Sequence, residues 1–126
     1  MPQVIPVLKD EEDEQPVPTL WRGTLSEIVD ALKNGDYGLK DIRDVEPLDA
    51  ETEEAISRNI EGYGLTLVSL PAECWQSSVC RWLDGFWEVL VDLFTAEEGL
   101  SDLVLHSNVF EESGGFRFEV HLVYVP

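Results

Sequence analysis

Basic residues are scarce in this chain: 8 Lys and Arg stand against 26 Asp and Glu in 126 residues, for a formal net charge of −18. A field of that sign repels nucleic acid and anionic lipid and draws in basic partners, so neither a nucleic-acid nor a membrane partner is expected. Only Arg81 and Arg117 are basic in the second half of the chain, which leaves no cationic stripe to follow a phosphate backbone. Cysteine is equally sparse, with Cys74 and Cys80 alone, and two thiols do not make a disulfide scaffold. No apolar run approaches the ~18 residues of a membrane span. Met1 to Leu8 has neither the basic region nor the apolar core of a secretory signal, so a cytoplasmic protein with reduced thiols is expected.

Catalytic signatures are missing as well. The chain has no Gly-rich phosphate loop, no nucleophile elbow, no Cys-x-x-Cys pair and no dinucleotide fingerprint. Ser77 and Ser78 have no local base, and Gly114-Gly115 reads as a turn. A binding protein without a cofactor is the expectation, not an enzyme.

What is present suits one domain, because 44% apolar residues at this length suffice for one core. Residues 1–19 combine Pro2, Pro6, Pro16 and Pro18 with the run Asp10 to Glu14. That composition predicts a disordered acidic arm, with Val4, Ile5, Val7 and Leu8 as its means of attachment. Residues 20–126 form the folded domain. Thr24-Leu25-Ser26-Glu27 fits a capping box, and Leu25, Ile28, Val29 and Leu32 recur at helical spacing before Gly35, which predicts a helix over 25–34. Leu39, Ile42, Val45 and Leu48 recur every three residues, as either a helical turn or an irregular plug at the core edge. A second helix is predicted over 50–61, with Asp49 as N-cap. Residues 65–70 read as a short edge strand, and 71–75 as one helical turn.

Four antiparallel strands follow. Asp84-Gly85 lies between two apolar runs, the pattern of a type I′ hairpin, and it would set Trp82 against Trp87, Arg81 against Glu88 and Cys80 against Val89. Runs over 102–110 and 116–125 continue the meander around the turn at 111–115. The expected fold class is α+β: two N-terminal helices packed on one face of a four- to five-stranded antiparallel meander sheet.

Strand alternation then sorts the side chains. Trp82, Trp87, Val89, Val91, Leu93, Leu103, Leu105, Val109, Phe116, Phe118, Val120, Leu122 and Tyr124 fall on the side to be covered, where Cys80 is a small core residue. The other face gathers Arg81, Glu88, Asp92, Asp102, His106, Asn108, Arg117, Glu119 and His121. Its apolar members, Phe86, Leu90, Val104, Val123 and Val125, could also support a homodimer. His106, His121 and Asp92 are a conceivable zinc or iron set, although their spacing is not a metal motif and cross-strand pairing explains them equally.

The text from Glu73-Cys74-Trp75 to Val79-Cys80-Arg81-Trp82, then Trp87-Glu88-Val89-Leu90-Val91-Asp92-Leu93, Glu97-Glu98-Gly99, Ser101 to Leu105 and Phe116 to Pro126, resembles a small bacterial domain of unknown function. It also resembles immunity proteins encoded beside polymorphic toxins, including those of contact-dependent growth inhibition. The likeness covers residues 20–126 and carries no active-site motif. It implies a small cytoplasmic protein that blocks a toxin's C-terminal domain by stoichiometric binding. A nuclease, with its basic cleft, is the toxin class that the charge suits. Candidate contacts are Glu88, Asp92, Asp102 and Glu119 on the polar face, and Glu111 and Glu112 at the hairpin tip. The alternatives are a metal-binding domain or metal-dependent enzyme built on His106, His121 and Asp92, or an interaction adaptor.

Overall fold

A carboxylate starts the second helix and a glycine ends it. Asp49 accepts a 2.7 Å hydrogen bond from the Thr52 N–H, which satisfies one of the free amides of the first turn. Glu51 and Glu53 add negative charge at the positive end of the helix dipole. Gly64, at φ +79°, closes the other end in a conformation that a side chain would strain.

The computed structural model describes residues 4–126. Its strands are β1 (Gln15–Pro16), β2 (Val79–Trp82), β3 (Trp87–Thr95), β4 (Gly99–Glu112) and β5 (Gly115–Tyr124). Its helices are α1 (Thr19–Lys33) and α2 (Ala50–Tyr63), with a 3₁₀ turn at Ala72–Gln76. The strands form one antiparallel sheet in the order β1-β2-β3-β4-β5. Trp21, Leu25, Ile28, Val29 and Leu32 of α1, with Ile56 and Ile60 of α2, are buried in one cluster with Trp87, Val89, Val91, Leu105, Phe118 and Val120. Both helices therefore cover the same face of the sheet, which is the expected α+β architecture.

Asp84 (φ +54°) and Gly85 (φ +136°) make the two-residue turn between β2 and β3, closed by Leu83 N–H donating to the Phe86 carbonyl at 2.8 Å. The register is the expected one, with Trp82 opposite Trp87, Arg81 opposite Glu88 and Cys80 opposite Val89. Cys80 is buried on the covered side.

Four expectations are corrected. The first is the arm. Positions 1–3 lie outside the described residues, but from residue 4 onward the segment is laid on the domain. Trp87 Nε1–H donates to the Leu8 carbonyl at 2.8 Å, Thr19 N–H donates to the Ile5 carbonyl at 3.0 Å, and Gln15–Pro16 pairs with β2. Val17 is fully buried, Val7 packs against the core, and Val4 stays exposed. An isolated composition count misses this because the docking uses backbone carbonyls and a few apolar groups, not a continuous apolar face.

The second is the start of α1, which lies at Thr19 and not at Leu25. Trp21 is the reason: it extends the apolar stripe of Leu25, Ile28 and Leu32 one turn back, and its ring sits edge-on to Trp87 at 5.1 Å and to Phe116 at 5.4 Å. Burying that indole outweighs the cost of Gly23 inside the helix. The third is the strand at 65–70, which reduces to a single bridge between Leu67 and Thr95 flanked by Val68 N–H to Phe94 and Ala96 N–H to Thr66. Beyond it Ser69 turns to α1, where its Oγ is 2.6 Å from Asp30 Oδ1.

The fourth concerns faces. A bulge at His121 sets His106 opposite Leu122 but Ser107 opposite Val120, so one residue of β5 has no partner. Beyond it the alternation inverts. Val123 is fully buried and pairs with Leu105, whereas Leu122 and Tyr124 pair with His106 and Val104. Between the helices, Leu39 and Val45 are buried in irregular chain. Val45 forms a parallel bridge to Phe118 that covers the free edge of β5.

Candidate interaction surface

Both helices lie on one face of the sheet, and the other is the polar face. Across its middle run Glu88, Leu90 and Asp92 from β3, Val104, His106 and Asn108 from β4, and Glu119, His121 and Leu122 from β5. All but the exposed His121 are half-buried by their neighbours on the sheet. Phe86 and Phe110 stack at one end with ring centroids 5.4 Å apart.

The two histidines do meet here. Their ring centroids are 4.8 Å apart, because the bulge turns His121 to the same side as His106. The carboxylate beside them is Glu88, not Asp92: Glu88 Oε2 lies 3.5 Å from His106 Nε2. Asp92 lies one pair further along, opposite Val104, and its backbone N–H donates to Ser78 Oγ. Among the described residues no three His, Cys, Asp or Glu side chains come together in a set that could hold a metal ion. The His106–His121–Asp92 set thus lacks its third member in space.

Burial lowers the pKa of His106 below its usual 6.5; the nearby Glu88 carboxylate partly opposes this, and His121 adds to it. His106 Nε2 and Asn108 Oδ1 are buried without a hydrogen-bond partner, and 3.5 Å to Glu88 is a Coulombic contact beyond normal bonding distance. Cost accumulates at such atoms until something satisfies them.

The remaining predicted acids differ in availability. Glu111 is held by Lys9 at 3.0 Å, and Arg117 is clamped between Glu112 and Glu119, each at 2.6 Å, with its guanidinium 4.7 Å from the Phe110 centroid. These three acids are already paired inside the chain. Asp102 is exposed near the start of β4, where its backbone N–H donates to the Tyr63 hydroxyl. Arg81 lies opposite Glu88 in register, but it donates to the Glu12 carbonyl at 3.3 Å. Of the apolar residues first placed on this face, Phe86, Leu90 and Val104 stay, and Val123 belongs to the core.

Sequence reasoning missed two features. Nothing in the residue spacing marks the bulge that brings Leu122 and Tyr124 onto the polar face. Trp21 was legible, since Trp21, Leu25, Ile28 and Leu32 continue one helical stripe.

Fold and face together define a small α+β domain whose sheet is covered by helices on one face and carries half-buried polar and apolar side chains on the other. The chain belongs to a family described as a domain of unknown function (DUF7668), which matches residues 29–126. That span starts inside α1 and includes the 3₁₀ turn and strands β2 to β5. No curated protein and no solved structure matches the chain. No described helix is long and apolar enough to cross a membrane.

Proposed function

We propose that this chain is an immunity protein: a cytoplasmic, non-catalytic inhibitor that binds the C-terminal domain of a cognate bacterial toxin, one to one, and blocks its active cleft. A nuclease is the toxin class that fits, because a cleft built for nucleic acid is basic and a net charge of −18 speeds encounter with it. The observation that carries the reading is the polar sheet face. It offers apolar groups for a desolvated centre, Leu90, Val104 and Leu122, beside Glu88, Asp92 and the His106–His121 pair. Asp92 and Asp102 make no ion pair among the described residues, so a basic partner meets them unpaired. Glu111, Glu112 and Glu119 contribute to the field while remaining tied to Lys9 and Arg117.

The test is capture from the native host on the tagged protein at moderate salt, followed by an activity assay on the purified partner. The expected result is one dominant basic fragment in equimolar ratio whose toxic activity is abolished by equimolar addition of this protein. Asp92→Lys with Asp102→Lys should weaken the complex at least tenfold, on the order of the loss of two charge pairs at an interface. A partner that keeps full activity at equimolar ratio would sink the inhibitory reading.

A further inference from the structure

At the end of the sheet that carries the β2–β3 turn and the β4–β5 hairpin, part of the N-terminal segment sits in the manner of a bound peptide. Leu8 offers its backbone carbonyl to the Nε1–H of the fully buried Trp87 at 2.8 Å. Lys9 lies 5.1 Å from the Trp82 centroid and 3.0 Å from Glu111 Oε1. Ile5 is bonded to Thr19 through its N–H at 2.8 Å and its carbonyl at 3.0 Å. The hold is light all the same. No residue from Val4 to Pro16 is fully buried, Val4 is 74% and Leu8 44% exposed, and Val7 is the side chain of this stretch that packs against the core. A segment fixed by backbone acceptors and one lysine, with little apolar area buried, opens far more readily than the core beneath it.

We propose that residues 4–9 are a displaceable strap, and that the seat beneath them receives an extended basic segment of a partner protein. The seat selects by backbone and by charge. The Trp87 N–H requires a carbonyl, because a buried donor left without an acceptor is costly, and any extended peptide supplies one. Trp82 and Glu111 together require a cation, and Lys or Arg satisfies both.

Charge then decides between the strap and a rival. Lys9 is followed directly by Asp10, Glu11, Glu12, Asp13 and Glu14, so the strap draws a run of carboxylates into the field of a chain of net charge −18. A partner segment that continues with Lys or Arg meets attraction where the strap meets repulsion. The same field disfavours the strap of a second copy as occupant. Trp82 and Trp87 face each other on the helix-covered side, with ring centroids 4.5 Å apart, so this surface is separate from the polar face. The inference therefore stands without the inhibitory reading.

The test follows the Trp87 indole N–H resonance of the full chain. One probe is the capped peptide Val-Ile-Pro-Val-Leu-Lys-Lys-Arg-Lys, in which the strap sequence runs on into basic residues; the other carries Glu at its four basic positions. Saturable movement of the Trp87 signal with the basic peptide, and none with the acidic one, is the expected result. Val7→Asp with Lys9→Glu, made in the full chain to unseat the strap, should tighten binding at least about tenfold, because an internal competitor of effective concentration on the order of millimolar is removed. In the unaltered chain without peptide, the Trp87 indole N–H should show protection from solvent exchange at least about tenfold lower than the core amides of β3. Exchange of that proton only through global unfolding, no saturable shift in the folded variant, or an equal response to the acidic peptide would each overturn the assignment. A sedimenting dimer that disappears in the variant would give the seat to a second copy, and so overturn it too.

Discussion

Trp87 Nε1–H, at the centre of the aromatic cluster, donates its 2.8 Å hydrogen bond to the backbone carbonyl of Leu8. A tryptophan of the central sheet is thus satisfied by a segment that composition alone marks as disordered. Lys9 adds its contacts to Trp82 and Glu111, and Ile5 is tied to Thr19 through both its N–H and its carbonyl. A chain beginning at Asp10 should therefore lose about 1–3 kcal/mol, the cost of removing the partner of a buried donor together with local packing. Urea unfolding followed by tryptophan fluorescence checks this. The midpoint should fall, and emission of the folded state should shift to the red as Trp82 and Trp87 become hydrated; an unchanged midpoint would show that the segment only rests on the surface.

The Asp84-Gly85 turn gives a second, local test. Gly85 sits at φ +136°, where a Cβ is strained whatever the space around it, while Asp84 at φ +54° is in a region that Asn shares. Gly85→Ala should cost about 1 kcal/mol or more, and Asp84→Asn should be close to neutral. Thermal unfolding of the two variants distinguishes turn strain from a general sensitivity of the hairpin, which would make both equally destabilising.

Much of the fold was legible because local signals agreed with tertiary need. Asp49 and Gly64 mark the ends of α2 by capping chemistry that operates within one turn, and Asp84-Gly85 fixes the β2–β3 register by φ alone. The site was less legible because its decisive geometry is non-local. The bulge at His121 shifts three residues between faces, and no residue type announces it. Glu88, not Asp92, reached His106 because cross-strand stagger, absent from the sequence, decides which diagonal neighbour is near. The arm misled for the same reason: its acids are real, but carbonyl acceptors for Trp87 and Thr19 leave no mark in composition.

Burial pushes the thiols of Cys74 and Cys80 up to about 11 from a usual 9.0. Neither should react with iodoacetamide at pH 8 in the folded protein, and both should react in urea. A folded-state pKa above the unfolded one means that the native thiols hold their protons longer than the unfolded ones. Their contribution to stability is therefore complete below pH 9.0 and declines as pH rises toward about 11. Mass spectrometry of alkylated samples, native and unfolded, reads the first expectation; rapid native labelling at either position would show local opening of β2 or of the 3₁₀ turn.

His106 supplies the pH response of the polar face. Its pKa is held below 6.5 chiefly by burial, so between that depressed value and 6.5 the unfolded chain binds a proton that the folded chain does not. Stability from this residue is accordingly complete above pH 6.5, falls as pH drops through the folded pKa, and levels off below it. The imidazole titration followed by NMR should have its midpoint below 6.5. Glu88→Gln should move that midpoint further down, because the carboxylate 3.5 Å away favours the charged ring, and His121→Gln should move it up, because the neighbouring His121 lowers the His106 pKa. A midpoint at or above 6.5, or an upward move in Glu88→Gln, would mean that the ring is hydrated and that the half-buried centre of this face is open to water in solution. The downward move would instead establish a dry, charge-coupled centre, which a partner docking on the face must either leave neutral or supply with a hydrogen-bond acceptor for the protonated ring.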